Sequence, residues 1–279
     1  MNFFIIWMTT TLCVMAEFVQ EENNPYTQAL ISNKQWHHVH GYVQVRPGAH
    51  MFYWFFYANG TKVDANRKPV IIWIQGGPGF AASGIGNFAE LGPFNMDMQP
   101  RNHTWVKGRN VLFIDHPVGT GFSYVTNSSL YAKTDREIAM DLSKAIKMFY
   151  RRHREFRKTP TYLFSQSYGG KICPRLAFYL HTAIEKKSLK MNFKGIGIGS
   201  GWVDPKESIL VQPEFLYLSG AIDRNLYITS SKVAKKLARS IKTQEFFDAD
   251  ILDDVLFSTL NEKGEINFNN VYAPSPYPA

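Results

Sequence analysis

Residues 162–170 read Tyr-Leu-Phe-Ser-Gln-Ser-Tyr-Gly-Gly: a short apolar run, a turn around Ser167, and two glycines on which a helix can start. A run of that length ending in a turn and a helix belongs to a strand inside an α/β sheet, with helices laid over its faces. The neighbouring segments repeat the alternation. Runs at 39–46 and 51–58 predict an antiparallel hairpin turned by Arg46-Pro47-Gly48. Buried strands are expected at Val70–Ile74, Val111–Ile114 and Phe193–Gly199, with a Gly-Pro loop after the first of them. A helix is expected over 134–154, opened by the capping-box sequence Thr134-Asp135-Arg136-Glu137. From about residue 205 the pattern becomes helical at 207–219, 229–243 and 245–260, as an inserted cap would be.

The ends of the chain read differently. Residues 1–16 carry no charge, are apolar through Phe3-Phe4-Ile5-Ile6-Trp7-Met8 and close on Val14-Met15-Ala16, which predicts a cleaved signal peptide. No later segment is long enough to span a membrane. Sequons at Asn59, Asn102 and Asn127 agree with passage through the secretory route, and each predicts an exposed loop. Apart from Cys13 in the leader, the chain holds only Cys173, so no internal disulfide is expected. Residues 266–279, rich in Pro, are expected to be a disordered tail. The domain reading is therefore a leader at 1–16, an α/β core at 17–204, a helical cap at 205–265 and the tail.

The net charge of +8 is concentrated in Arg151-Arg152-His153-Arg154-Glu155-Phe156-Arg157-Lys158 and in Lys232 to Lys242. The first run closes a helix, where cations complement the dipole; the second has the spacing of a surface helix. Neither points to a nucleic-acid partner. No group of His, Cys, Asp and Glu has metal-ligand spacing, and neither metal nor cofactor is expected.

Three loops follow three of the predicted strands: Gln75-Gly76-Gly77-Pro78-Gly79, Asp115 to Tyr124 with His116 at its start, and the turn at Ser167. In an α/β sheet they converge at the strands' carboxyl ends. Strand, sharp Ser turn and helix are the elements of a nucleophile elbow, with Ser165 where many hydrolases have a glycine. Together with Glu90-Leu91-Gly92-Pro93 and Ile198 to Pro205, these motifs resemble the serine carboxypeptidase family, nearest its retinoid-inducible branch, from about residue 35 to 260.

The resemblance implies an α/β-hydrolase sheet with a partial helical cap, the sheet truncated before its last strands. It implies a hydrolase that removes C-terminal residues from peptides, secreted or lysosomal. Ser167 would be the nucleophile, and the backbone N–H groups of Gly77 and Tyr168 the oxyanion hole. Gln75, Gly76 and Gln166 would hold the substrate's carboxylate. At the last position the family carries a Glu that must be protonated to donate; Gln166 donates at any pH, so a weaker preference for acid is expected.

The family's triad Asp and His lie beyond the cap, so the chain as it stands is expected to lack them and to be inactive alone. His181, the one histidine after Ser167, would sit roughly 21 Å along the same helix, out of reach. His116 reads as a packing or substrate-pocket residue. A non-catalytic peptide-binding relative and an acyltransferase of the same family remain open alternatives at this point.

Overall fold

The computed structural model describes residues 36–261, 266–268 and 270–273; the predicted leader lies outside them. The chain divides into two compact units, Met1–Gly201 and Trp202–Ala279.

The first unit is built on one sheet. Its strands are β1 (His38–Arg46), β2 (Ala49–Phe56), β3 (Val70–Ile74), β4 (Asn110–Ile114), β5 (Tyr124–Val125), β6 (Pro160–Gln166) and β7 (Asn192–Gly199). They lie in the order β1-β2-β4-β3-β6-β7, with β5 added beside β2. β1 pairs with β2 and β2 with β4 antiparallel, while β4, β3, β6 and β7 run parallel. All five residues of β3 and of β4 are buried, as expected for central parallel strands covered on both faces.

Two helices dominate this unit, α1 (Asp135–Arg152) and α2 (Gly169–Glu185). Ile138, Leu142, Ile146 and Phe149 of α1 and Ile172, Leu176 and Leu180 of α2 fall at helical spacing and join the buried residues of β1, β2, β3 and β6 in one core. Thr134 caps α1 by accepting from the Glu137 N–H at 3.2 Å, but the Glu137 carboxylate reaches back to the Lys133 N–H at 2.6 Å, one residue earlier than the expected box. The Arg46 guanidinium at the end of β1 grips Asp141 of α1 through Nε to Oδ1 at 2.9 Å and to Oδ2 at 3.1 Å, and through Nη2 to Oδ2 at 3.0 Å. Cys173 lies on the buried side of α2 with its thiol free, and burial pushes its pKa up to about 11.

The stretch after β3 is more ordered than the loop expected there: Ala82–Leu91 forms a helix wound to the wider π repeat. Its sequence, with Gly84 and Gly86 inside, gives little helical signal. The helix is fixed instead by tertiary contact, because the buried Asp115 carboxylate accepts from the Ser83 N–H at 2.8 Å and from Ser83 Oγ at 2.7 Å. A side chain at Gly86 would come within 2.7 Å of Gln75 Oε1, so the glycine permits the close approach to β3.

The second unit contains α3 (Pro205–Leu218), α4 (Arg224–Thr243) and α5 (Phe246–Leu260). Ile209, Leu216, Leu237, Leu256 and Leu260 form its core. No further strand occurs among the described residues. Ile266, Phe268 and Val271, placed in the expected tail, pack against this core, and the Phe268 ring lies 5.1 Å from that of Phe257. These apolar side chains give that stretch something to bury.

Candidate active site

The parallel strands end on a common edge, and the turn after β6 places Ser167 there, exposed, with φ +53°. A non-glycine residue in the left-handed region is held there by its surroundings. The Ser167 N–H donates to the Gly199 carbonyl at 3.1 Å, and the Ser167 carbonyl accepts from the Gly170 N–H at 2.9 Å. Glycine is required at both positions that follow Tyr168. A Cβ at Gly169 would strike the Ile74 carbonyl, and one at Gly170 would come within 2.8 Å of Ile198.

The Gly76–Gly79 loop lies directly on the turn. A Cβ at Gly76 would stand 2.9 Å from Ser167 Cβ and 3.4 Å from Ser167 Oγ. Gly77 follows with φ +114°. Among the described residues, neither the Gly77 nor the Tyr168 backbone N–H has an acceptor. Gly77 follows the residue that abuts Ser167, and Tyr168 follows Ser167 itself, so each free N–H lies one residue from the contact between the two loops. The Tyr168 side chain points elsewhere, its hydroxyl bonding Asp135, which also pairs with Lys171 at 3.1 Å.

Gln75 and Gln166, separated by a long stretch of sequence, meet on Glu90 at the end of the π-helix. Gln75 Nε2 donates to Glu90 Oε1 at 3.3 Å while its Oε1 accepts from the Trp73 indole. The Gln166 amide, oriented with nitrogen toward Glu90, donates to Oε1 at 3.1 Å and Oε2 at 3.2 Å. Burial raises the Glu90 pKa above its ordinary value, against the opposing pull of the Gln75 amide and of Arg101. Glu90 falls inside a motif noted in the sequence, but nothing local to residue 90 signals that two distant amides converge on it.

His116 is fully buried behind this edge, and both ring nitrogens lack a partner among the described residues. Burial lowers its pKa to about 4; the nearby Gln75 backbone opposes this without a well-aligned hydrogen bond. Its ring is therefore neutral at neutral pH, and neither nitrogen hydrogen-bonds Ser167 Oγ. The adjoining Asp115 has its pKa raised by burial, and it ties the loop together by also accepting from the Phe122 N–H at 3.0 Å. His181 sits exposed on α2 and pairs with Glu185 at 3.3 Å. No hydrogen bond joins Ser167 Oγ to a histidine among the described residues. The three sequon residues Asn59, Asn102 and Asn127 are all exposed.

A serine carboxypeptidase family profile matches residues 28–278 of the chain. The protein is a member of the serine carboxypeptidase family. The human retinoid-inducible serine carboxypeptidase is 36% identical over 235 residues, covering 84% of this chain and 52% of its own length. Serine carboxypeptidase-like 51 of Arabidopsis thaliana is 37% identical over 213 residues, 75% of this chain and 46% of the relative. The chain thus spans about half the length of the curated relatives it matches. Among solved structures, Kex1(delta)p, a prohormone-processing carboxypeptidase from Saccharomyces cerevisiae, superposes with a TM-score of 0.72 at 21% identity, over 88% of this chain and 58% of its own. That likeness supports the α/β-hydrolase fold of this serine carboxypeptidase relative. No helix among the described residues is long and apolar enough to cross a membrane.

Proposed function

We propose that the protein acts as a serine-type carboxypeptidase on the C-terminal ends of peptides. The observation that carries this reading is the seating of Ser167 in a positive-φ turn against the Gly76 backbone, beside two unpartnered N–H groups. Ser167 Oγ attacks the carbonyl carbon of the last peptide bond, and the Gly77 and Tyr168 N–H groups receive the charge that develops on the carbonyl oxygen, each worth about 10²–10³ in rate. The C–N bond then breaks, the terminal amino acid leaves with a proton on its nitrogen, and water hydrolyses the acyl-enzyme.

The reaction needs a base at Ser167 Oγ, and the described residues show none. That base and its orienting carboxylate are the parts of the machinery the reading requires in addition. The substrate's free carboxylate binds at Gln75, the Gly76 backbone and Gln166, with His116 behind the pocket. Gln166 has no proton to lose, so acid dependence at this pocket comes instead from Glu90, whose pKa burial raises and on which both amides lean. Glu90 orients both amides, accepting from Gln75 on Oε1 and from Gln166 on both oxygens. The secretory route is supported by the leader-like residues 1–16 and by the exposure of Asn59, Asn102 and Asn127.

Fluorophosphonate labelling of the natural protein, followed by peptide mapping, tests the nucleophile. The label is expected on Ser167 and lost in Ser167→Ala. An unlabelled protein, or a label elsewhere, would overturn the reading.

A further inference from the structure

At the opposite end of the parallel strands from Ser167, a cleft of about 300 Å³ opens where three segments meet. Lys147 and Arg151 come from the last turns of α1, Arg154 and Arg157 from the turn leading into β6, and Lys187 and Lys190 from the connection between α2 and β7. Along the sequence the first four look like a helix end dressed with cations. Folded, they face two further lysines across a concavity, which is an arrangement that dipole complementation does not call for.

None of the six forms an ion pair among the described residues. The one acid on the same turn, Glu155, is directed at His153, 3.5 Å away. Arg157 is anchored through Nε to the Tyr150 carbonyl at 3.0 Å, and Arg154 leans through Nε on the Arg151 carbonyl at 3.4 Å, so neither guanidinium is spent on a carboxylate. Six uncompensated cations crowded on one concave surface repel each other and focus a positive potential, a cost that a bound polyanion removes.

We infer that this cleft binds the sulfate groups of an anionic polysaccharide. A chain of spaced anions satisfies cations drawn from three segments at once, and arginine forks match tetrahedral oxyanions. Single-stranded nucleic acid fits less well, because its binding sites stack bases on exposed rings. The lone aromatic in the lining, Tyr150, is buried with its hydroxyl on Thr161 at 2.5 Å. An anionic bilayer fits less well too, since Leu189, the aliphatic residue of the lining, is buried and has nothing to insert.

The test is binding of a fluorescent heparin oligosaccharide to the natural chain across about 0.1 to 0.4 M salt. Arg151→Ser, Arg154→Ser and Lys190→Ser are combined in one variant; Lys187, at φ +55°, is left alone. The control removes the same charge from α4 through Lys232→Ser, Lys235→Ser and Lys236→Ser. The cleft variant is expected to bind at least about tenfold more weakly, with a salt slope lower by about two, and the control within about twofold of the parent. Both should unfold at the parent temperature. Equal losses from the two variants, or binding of single-stranded DNA as tight as that of the sulfated ligand, would overturn the inference.

Discussion

The two ends of the sheet have the same topological status and opposite surroundings. At the β1 end, Val43, Val45, Met51 and Phe55 are buried, and α1 is fastened over them by the Arg46–Asp141 clamp. Within β7 itself no residue is buried; Ile196 and Ile198 are 44% and 39% exposed, and one side of β7 has no strand partner among the described residues. Being last in a sheet is thus not what leaves a strand open. The difference lies in the side chains and in what covers them. β7 alternates glycine with isoleucine, and a Cβ at Gly197 would run into the Phe164 ring of β6, so the strand yields packing volume to its neighbour. An edge of this kind presents unpaired backbone groups together with apolar side chains, the combination that natural sheets usually cover.

Paired truncations give the largest test of that contrast. Phe55→Ala in β2 should cost about 3–5 kcal/mol in denaturant unfolding and Ile196→Ala in β7 less than about 1 kcal/mol. Similar costs would mean that β7 is as well packed as β2. Next in size is Arg46→Ala, which strands the buried Asp141 carboxylate. Because Arg46 is itself 33% exposed, the expected loss is about 2 kcal/mol, below that of a fully buried pair. A loss that vanished in high salt would reduce the clamp to a surface contact. The smallest effect belongs to the cap of α1: Thr134→Ala should cost about 1 kcal/mol and speed amide exchange in α1 and β1 without altering β7. Faster exchange in β7 as well would show the two ends opening together.

The same contrast explains what could be read from residues alone. Strands β1 to β4, β6 and β7 and helices α1, α2, α3 and α5 announce themselves within a few positions, because apolar periodicity is local. Helix α4 begins at Arg224, five residues before the expected start at 229, since Asp223 caps it by accepting from the Leu226 N–H at 2.8 Å. The π-helix escaped because its cause is tertiary: the Asp115 carboxylate, remote in sequence, and the wall that Trp73 and Gln75 form once β3 is folded. The site divides along the same line. Ser167 and Gly76–Gly79 are short motifs, whereas the meeting of Gln75 and Gln166 on Glu90 exists only once β3 and β6 are side by side. The cationic cleft escaped for that reason as well, since Lys187 and Lys190 join Arg151 and Arg154 only across the fold.

Cys173 turns the closure of the sheet into something that can be timed. Its sulfur is protonated at neutral pH and sealed under α2, so a thiol reagent in solution meets no nucleophile while the helix is seated. Every alkylation event at that position therefore records one excursion of α2 away from the strands beneath it, and the helix that begins beside Ser167 carries its own clock.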